Sequence, residues 1–475
     1  MSKYSSDIVS KWCGNMDDVS LDGTLAGGVA WPEAKGGRAQ RTANFDRYSL
    51  TGGSILLLAA VYLSAVSAAA LVLYSAAILV TAIRMAGVGR LRPFGAVAIL
   101  FGLWWVAFGA AVGSLPSLDE VVPFANSEAR VLLALVPVVL MATASDRTGA
   151  ISAVTTGFQL VAWGAPVLLI VWIVSREGVT GRTGLLHGFT SSHHVPGVLF
   201  GTVLILCVAV PLYRRPAIRG CLAVCAALVV LLSGSRASMA GLVFVGAAII
   251  VTRGWMTPRR RPIVLGVAAV AAVLMALYVP RATTTLTSIA RPEFRDAIAL
   301  AVRTGDAEVA RRVGSEGPAD ANVLSRLAYF HRATDMWWSS PLIGTGPFRF
   351  DDDDVRQSGI AGFIYPITAG TKVFSDQQAH NLHLYLLAEG GLVSVVLFLG
   401  LWLNIGWSLR RGILGNVVVM DQQYVRAGGA AIVFGFGVSL SDMGFLTPGL
   451  AVPVGLLACA AKVAVEEAQQ GVGGR

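Results

Sequence analysis

Residues 53–83 read GSILLLAAVYLSAVSAAALVLYSAAILVTAI, thirty-one positions without a charged side chain. One membrane-spanning helix needs only about 20 apolar residues. The run is too long for one ordinary span and just long enough for two short ones with a turn near Ser64–Ser67. The flanking charges choose between these. The next loop, MAGVGRLR (85–92), is basic, and the stretch before the run carries Lys3, Lys11, Lys35, Arg38, Arg41 and Arg47. Lys and Arg concentrate in cytoplasmic segments of membrane proteins. Both flanks therefore belong inside, an even number of crossings lies between them, and the run is two helices. Every later span takes its direction from that reading.

Composition agrees. Of 475 residues, 55% are hydrophobic and 14% charged, whereas a soluble domain carries roughly 25% charged residues. The apolar residues fall in continuous blocks, and backbone in hydrocarbon must satisfy its own hydrogen bonds, so the spans are helices. A barrel would show alternation, which is absent. The net charge of +9 sits in short clusters between spans. It marks topology and gives no basic face for nucleic acid. Of the five cysteines, Cys207, Cys221, Cys225 and Cys459 fall in spans and Cys13 in the N-terminal tail. Cys221 and Cys225 share a helix face without further ligands, so they are expected to be small buried residues, since metal sites need three or four ligands. No apolar segment precedes residue 53, so no signal peptide is expected.

Alternation of loop charge then predicts an all-α polytopic integral membrane protein with about 12 transmembrane helices. Residues 1–49 form a poorly ordered cytoplasmic tail, 50–279 hold helices 1–9, and 280–379 form a long external helical loop. Helices 10–12 occupy 380–466, and 467–475 form a second cytoplasmic tail. RGWMTPRRR (253–261) is the strongest inside marker, and LPSLDEVVPFANSE (115–128) has no basic residue and lies outside. The loop 280–379 holds eleven Lys/Arg, but loops of that length escape the charge rule. Within it, 322–340 has helical spacing of Leu324, Leu327, Ala328 and Phe330 and ends in Ser-Ser-Pro.

Several polar residues stand where the membrane disfavours them. Arg236 lies in SGSRASMAGL (233–242), at an outer mouth between spans. An arginine at mid-bilayer costs about 2.5–3.5 kcal/mol on insertion scales, less at the interface. It is either an interfacial anchor or a ligand contact, and the small residues Ser233, Gly234, Ser235 and Ala237 favour close approach. The helix 322–340 carries Arg326, His331, Arg332, Asp335, Trp337 and Trp338. Its tryptophans suit either the headgroup level or a sugar. His380 and His383 open a span in AHNLHLYLLAEGG (379–391) and share a helix face. A metal pair, a capping or core pair, and a catalytic base are the alternatives. Histidine suits the last because its pKa lies near working pH. Asn381 is placed to hold a ring or hydroxyl. Glu389 lies too far along the helix to share the task of His380, and is expected to be a buried structural partner, protonated or paired with an arginine of a neighbouring span. The run DDDD (351–354) reads as solvated loop.

SGSRASMAGL (233–242), SRLAYFHRATDMWWSSPLIGTGPFRF (325–350) and AHNLHLYLLAEGGLVSVVLF (379–398), in that order, resemble the O-antigen ligase-like membrane family, which includes O-antigen ligases and polysaccharide polymerases. The shared features are a serine-arginine after a span, an arginine-led helix ending in Pro-Leu-x-Gly-x-Gly, and a His-Asn pair opening a span that carries Glu and Gly. GRTGLLHGFTSSHHVPGVLFG (181–201) is similar to the family's Gly-x-Phe segment. The resemblance covers roughly 180–400. It implies transfer of a glycan from a polyprenyl (undecaprenyl) pyrophosphate to an acceptor hydroxyl on a glycan, lipid or protein. Transfer occurs at the outer face of the cytoplasmic membrane, with inversion and without cofactor or metal. By motif position Arg236 and Arg326 correspond to the arginines that hold the pyrophosphate, and His380 to the essential histidine, read as the base. Asn381, His383, Arg332 and Trp337 stand as supporting residues. The acid-rich stretch 351–376 and the long N-terminal tail depart from the family pattern.

The chemistry is consistent with that. No nucleotide sugar is available outside, so a lipid pyrophosphate must supply the energy. Arginine offers phosphate a fixed fork of donors and a permanent charge. Two rival classes remain. A metal-dependent transferase using polyprenyl-phosphate sugars would rely on Asp119 and Glu120. A lipid-linked glycan transporter would need polar residues at mid-span, where only Glu389 and Asp442 stand out.

Overall fold

The computed structural model describes residues 38–64, 67–87, 91–114, 130–174, 194–251, 261–277, 330–350 except 331 and 348, 381–414, 419–440, 444–446 and 448–473, with isolated positions between 283 and 296. Statements of absence below concern these residues. The chain divides into two units, Met1–Phe45 and Asp46–Arg475. Of the first, only the opening of a helix is described, and the contacts that follow lie within the second.

Among the described residues there is no strand, and the all-α class expected from the sequence is the one found. The helices are α1 (Arg38–Tyr62), α2 (Ser67–Gly87), α3 (Pro93–Ala111), α4 (Arg130–Ala142), α5 (Arg147–Ala162), α6 (Gly164–Val174) and α7 (His194–Ala209). There follow α8 (Pro216–Leu232), α9 (Arg236–Val251), α10 (Arg261–Ala276), α11 (Leu382–Leu414), α12 (Val419–Ser439) and α13 (Pro448–Gly473). The run 53–83 does break between Tyr62 and Ser67. The first helix, however, starts at Arg38, inside the stretch expected to be poorly ordered tail. Arg-Ala-Gln-Arg-Thr-Ala is good helix-forming composition, and polarity alone hid it. Five segments are long and apolar enough to cross a membrane: Ala68–Gly87, Pro93–Ala111, Arg147–Val174, Leu382–Leu414 and Pro448–Gln470. α4, α7, α8, α9 and α10 are apolar but shorter.

α13 is the axis. Its apolar window is 94% buried, against 28% for α2, and it packs on α4, α5, α7, α11 and α12. α9 lies on α12, and α3 on α4 and α11. The peripheral helices turn apolar side chains outward: Val72, Leu79 and Ile83 on α2, Ile170 and Ile173 on α6, Val273 on α10. An exposed stripe of that kind suits hydrocarbon and not water. Cys207 and Cys459 are buried, whereas of the pair expected to be buried Cys221 is exposed and Cys225 half-buried on α8.

One end of the bundle is tied by charge. Arg84, at the end of α2 and 2% exposed, donates to Thr143 Oγ1 (2.8 Å) and O (3.0 Å), to Ser49 Oγ (2.6 Å) and to Asp46 O and Oδ1 (both 2.6 Å). Arg92 pairs with Glu466 (3.0 Å) and Glu467 (3.1 Å) of α13. Arg147 N donates to Glu467 Oε2 (2.9 Å) and Lys462 pairs with Glu466 (3.1 Å). The ends of α2 and α13 and the starts of α3 and α5 therefore meet at one level.

Candidate functional site

The opposite end gathers helix starts. The Ser233–Arg236 turn folds because three serines close it locally. Ser233 Oγ donates to Val230 O (2.7 Å) and accepts from Ser235 N (3.3 Å). Ser235 caps α9: its Oγ accepts from Ser238 N (3.2 Å) and Ser238 Oγ (2.8 Å). Such a cap satisfies an amide that a helix start leaves open. His194, first residue of α7, places Nδ1 3.3 Å from the same Ser235 Oγ. Gly197 on α7 makes room for this turn, since a Cβ there would stand 2.7 Å from both Ser233 Oγ and Ser238 Oγ. Arg236 is thus the first residue of α9, half-buried, beside a closed hydroxyl cluster.

α12 brings α11 to the same end. Gly241 of α9 touches Gly437 of α12, so the start of α9 lies near the end of α12. There Asn381 Nδ2 donates to Leu440 O (3.3 Å). Asn381 Oδ1 accepts from His383 N (3.0 Å) and Leu384 N (3.1 Å). Asn381 is therefore the N-cap of α11 and its tie to α12. His383 is half-buried in the first turn of α11.

α11 is broken at Gly391, whose backbone lies at φ 62, ψ −165. The turn Pro341–Gly346 occupies the break. Thr345 N donates to Ala388 O (3.0 Å) and Gly346 N to Glu389 O (2.9 Å). In return Leu392 N donates to Pro341 O (3.0 Å) and Val393 N to Leu342 O (3.1 Å). Thr345 Oγ1 adds a bond to Ala388 O (3.1 Å). Backbone groups released by the break are thus taken up by another segment, as burial requires. Gly344 permits the close approach: its φ is +76, and Gly390 N lies 2.5 Å from where its Cβ would stand.

Arg332 and Glu389 sit beneath this turn, 2% and 1% exposed. Glu389 Oε1 accepts from Phe350 N (2.9 Å). The Arg332 guanidinium lies 4.9 Å from the Phe350 ring centroid, a cation–π distance. The Phe350 ring is 6.1 Å from Tyr385, which is 6.3 Å from Trp105. Arg349 Nη2 donates to Val112 O (2.7 Å), fixing the segment to the end of α3. The expectation of a buried, structural Glu389 agrees with this environment, in which it accepts from the Phe350 amide. Trp337 donates its Nε1–H to Pro341 O (3.2 Å), and its ring lies tilted against Trp338 with centroids 4.8 Å apart.

The sequence-predicted residues thus separate. Arg236 and Asn381 stand at one end of the bundle. Arg332 and Trp337 belong to the segment docked on α11. His380, Arg326, Asp119, Glu120, His331, Asp442 and the run 351–354 lie outside the described residues. Among the described residues no group of three or more His, Cys, Asp or Glu comes together. Sequence reasoning missed the roles of His194, Phe350 and Gly391. His194 lies inside the Gly-x-Phe segment of 181–201, and Phe350 is the last residue of the 325–350 segment.

Comparison with family models matches residues 221–399 to the family described as O-Antigen ligase. The matched stretch contains Arg236, the 325–350 segment and the helix opened by Asn381; helices α1–α7 lie before it. Comparison with curated proteins gives no match. Over residues 221–399, which hold the capped start of α9 and the glycine-broken α11, this chain is thus similar to the O-antigen ligase family.

Proposed function

We propose that the chain transfers a glycan from a polyprenyl-pyrophosphate donor to an acceptor hydroxyl, as ligase or as repeat-unit polymerase, at the end of the bundle where α7, α9 and α11 begin. The observation that carries the reading is the matched stretch 221–399, with Arg236 half-buried at the first position of α9. A helix start has backbone amides and a positive dipole end, both favourable to phosphate, and a guanidinium adds a permanent charge.

The step balances as a displacement. His380, one position before Asn381 in the sequence, takes the proton of the acceptor hydroxyl. The oxygen attacks the anomeric carbon, and the bond from that carbon to the pyrophosphate oxygen breaks with its electron pair on the leaving group. Arg236 and Arg326 stabilise that charge, which grows only in the transition state. Attack from the face opposite the leaving group inverts the anomeric centre.

The topology is part of the proposal. The level holding Arg84, Arg92 and Arg147 is the cytoplasmic one by the positive-inside rule. The end with Arg236 and Asn381 then faces outward, with about twelve crossings and both termini inside. The test is in cells lacking other such transferases. His380→Ala, Arg236→Lys and Arg326→Lys are expected to leave protein in the membrane while lipid-linked glycan accumulates. Undiminished transfer by His380→Ala would overturn the base assignment, and loss of wild-type activity on chelation would favour the metal-dependent class.

A further inference from the structure

We infer that the turn Pro341–Gly346 is a re-entrant element immersed in the outward leaflet of the bilayer, with acyl chains covering its exposed side chains. The first observation is depth. α3 and α11 run antiparallel, with Trp104 Nε1 donating to Ser394 Oγ (3.1 Å) and Phe101 5.4 Å from Phe398 between ring centroids. Three residues from Ser394 towards the break is Gly391, and three residues on from Trp104 is Ala107. Gly391 therefore stands level with a position four residues before the end of α3 at Ala111. At 1.5 Å per residue that is about 6 Å inside the level where α3 ends. α3 itself is about 28 Å long by the same rise, close to the thickness of the hydrocarbon. The turn pairs with residues on both sides of Gly391, so its tip shares that depth.

The second observation is the backbone. Irregular chain at membrane depth is tolerated only where its polar groups are satisfied by protein. Pro341 O, Leu342 O, Thr345 N and Gly346 N are all bonded to α11, and Gly344 N donates to Ser340 O (2.8 Å). The Trp337 indole N–H is also committed, to Pro341 O.

The third observation is the exposed surface. Leu342 is 67% exposed and Ile343 45%. They adjoin Leu392 and Val393, the exposed residues just past the break. From there the exposed residues Val396, Leu403, Trp407 and Leu414 continue along α11, at helical spacing on one face. The surface of the turn thus extends the outward face of a span-length apolar helix. Its polar groups are turned inward and its apolar ones outward, the arrangement that suits hydrocarbon. This inference rests on the membrane character of the chain and, for the choice of leaflet, on the topology proposed above, but not on the glycosyl transfer.

The test uses the unaltered protein in liposomes whose phospholipid carries a photoactivated diazirine in the acyl chain. A water-soluble diazirine serves as the opposing probe, and peptides are mapped by mass spectrometry. Leu342 and Ile343 should take the lipid label at the level of Val396, and lose the aqueous label to the same degree. Aqueous labelling of Leu342 and Ile343 with no lipid adduct, while Val396 takes the lipid label, would overturn the inference.

Discussion

Gly391→Ala is the sharpest structural perturbation in the chain. Gly391 lies at φ 62, ψ −165, a region that residues with a Cβ essentially do not occupy. Forcing alanine there costs about 1–3 kcal/mol. The methyl would also stand 2.5 Å from Gly344 N and closer still to the Leu342 carbonyl, so the docked turn must move away. Overpacking of that kind adds about 1–3 kcal/mol. Together the two terms come to about 2–6 kcal/mol, a large share of the roughly 5–15 kcal/mol by which proteins are folded. The same helix provides a control: Gly400 has nothing within 4 Å of a Cβ. Gly400→Ala should be neutral or gain about 0.5–1 kcal/mol from helix propensity. The assay is thermal melting in detergent, with limited proteolysis between 332 and 350 as a local probe. Gly391→Ala is expected to melt well below wild type and to open that segment to protease, and Gly400→Ala to do neither. Equal melting of Gly391→Ala and wild type would refute the broken helix and its docked turn.

Further outcomes follow from single contacts. Glu389→Ala removes the acceptor for the buried Phe350 N and should cost about 1.5–3 kcal/mol, with Glu389→Gln costing less because its carbonyl still accepts; a melting series ranks the three. Arg84→Ala leaves the Asp46 carboxylate without the guanidinium 2.6 Å away and should cost about 3–5 kcal/mol; Arg47→Ala, at an exposed arginine, should change the melting midpoint little. Asn381→Ala loses the cap of α11 and should cost about 0.5–2 kcal/mol, with Asn381→Asp retaining most of it; complete loss of transfer at wild-type stability in Asn381→Ala would make that residue a substrate contact instead.

The helical class and the break in 53–83 were legible because composition and run length act locally. Ser64–Ser67 interrupts an apolar run, and no distant residue is needed to see it. The cap at Asn381 was equally local: an Asn directly before an apolar run is a helix-start signal, and reading it only as a substrate contact passed over the simpler role. The Gly391 break was not legible. AEGGLVSV looks like continuous helix, and what stabilises the break is a turn some fifty positions earlier in the chain, Pro341–Gly346. The Gly-x-Gly pattern of that turn is visible in the 325–350 motif, but its partner is tertiary. Arg84 shows the same limit. It directly follows the apolar run 53–83, yet it is buried against Asp46 and Thr143, neither of which is near it in sequence. At the candidate site the ordered motifs identified the segments, while the approach of His194 to the Ser235 hydroxyl and of Arg332 to Phe350 required the fold.

The most direct test of the transfer reaction is reconstitution. Purified protein in liposomes is supplied with a polyprenyl-pyrophosphate glycan and an acceptor, in the presence of EDTA, and the products are followed by mass spectrometry. The account predicts that glycan leaves the lipid and appears on the acceptor with inverted linkage, and that His380→Ala, equally folded, yields none. Glycan that crosses the bilayer still attached to its lipid, or product formed at the wild-type rate by His380→Ala, would contradict it.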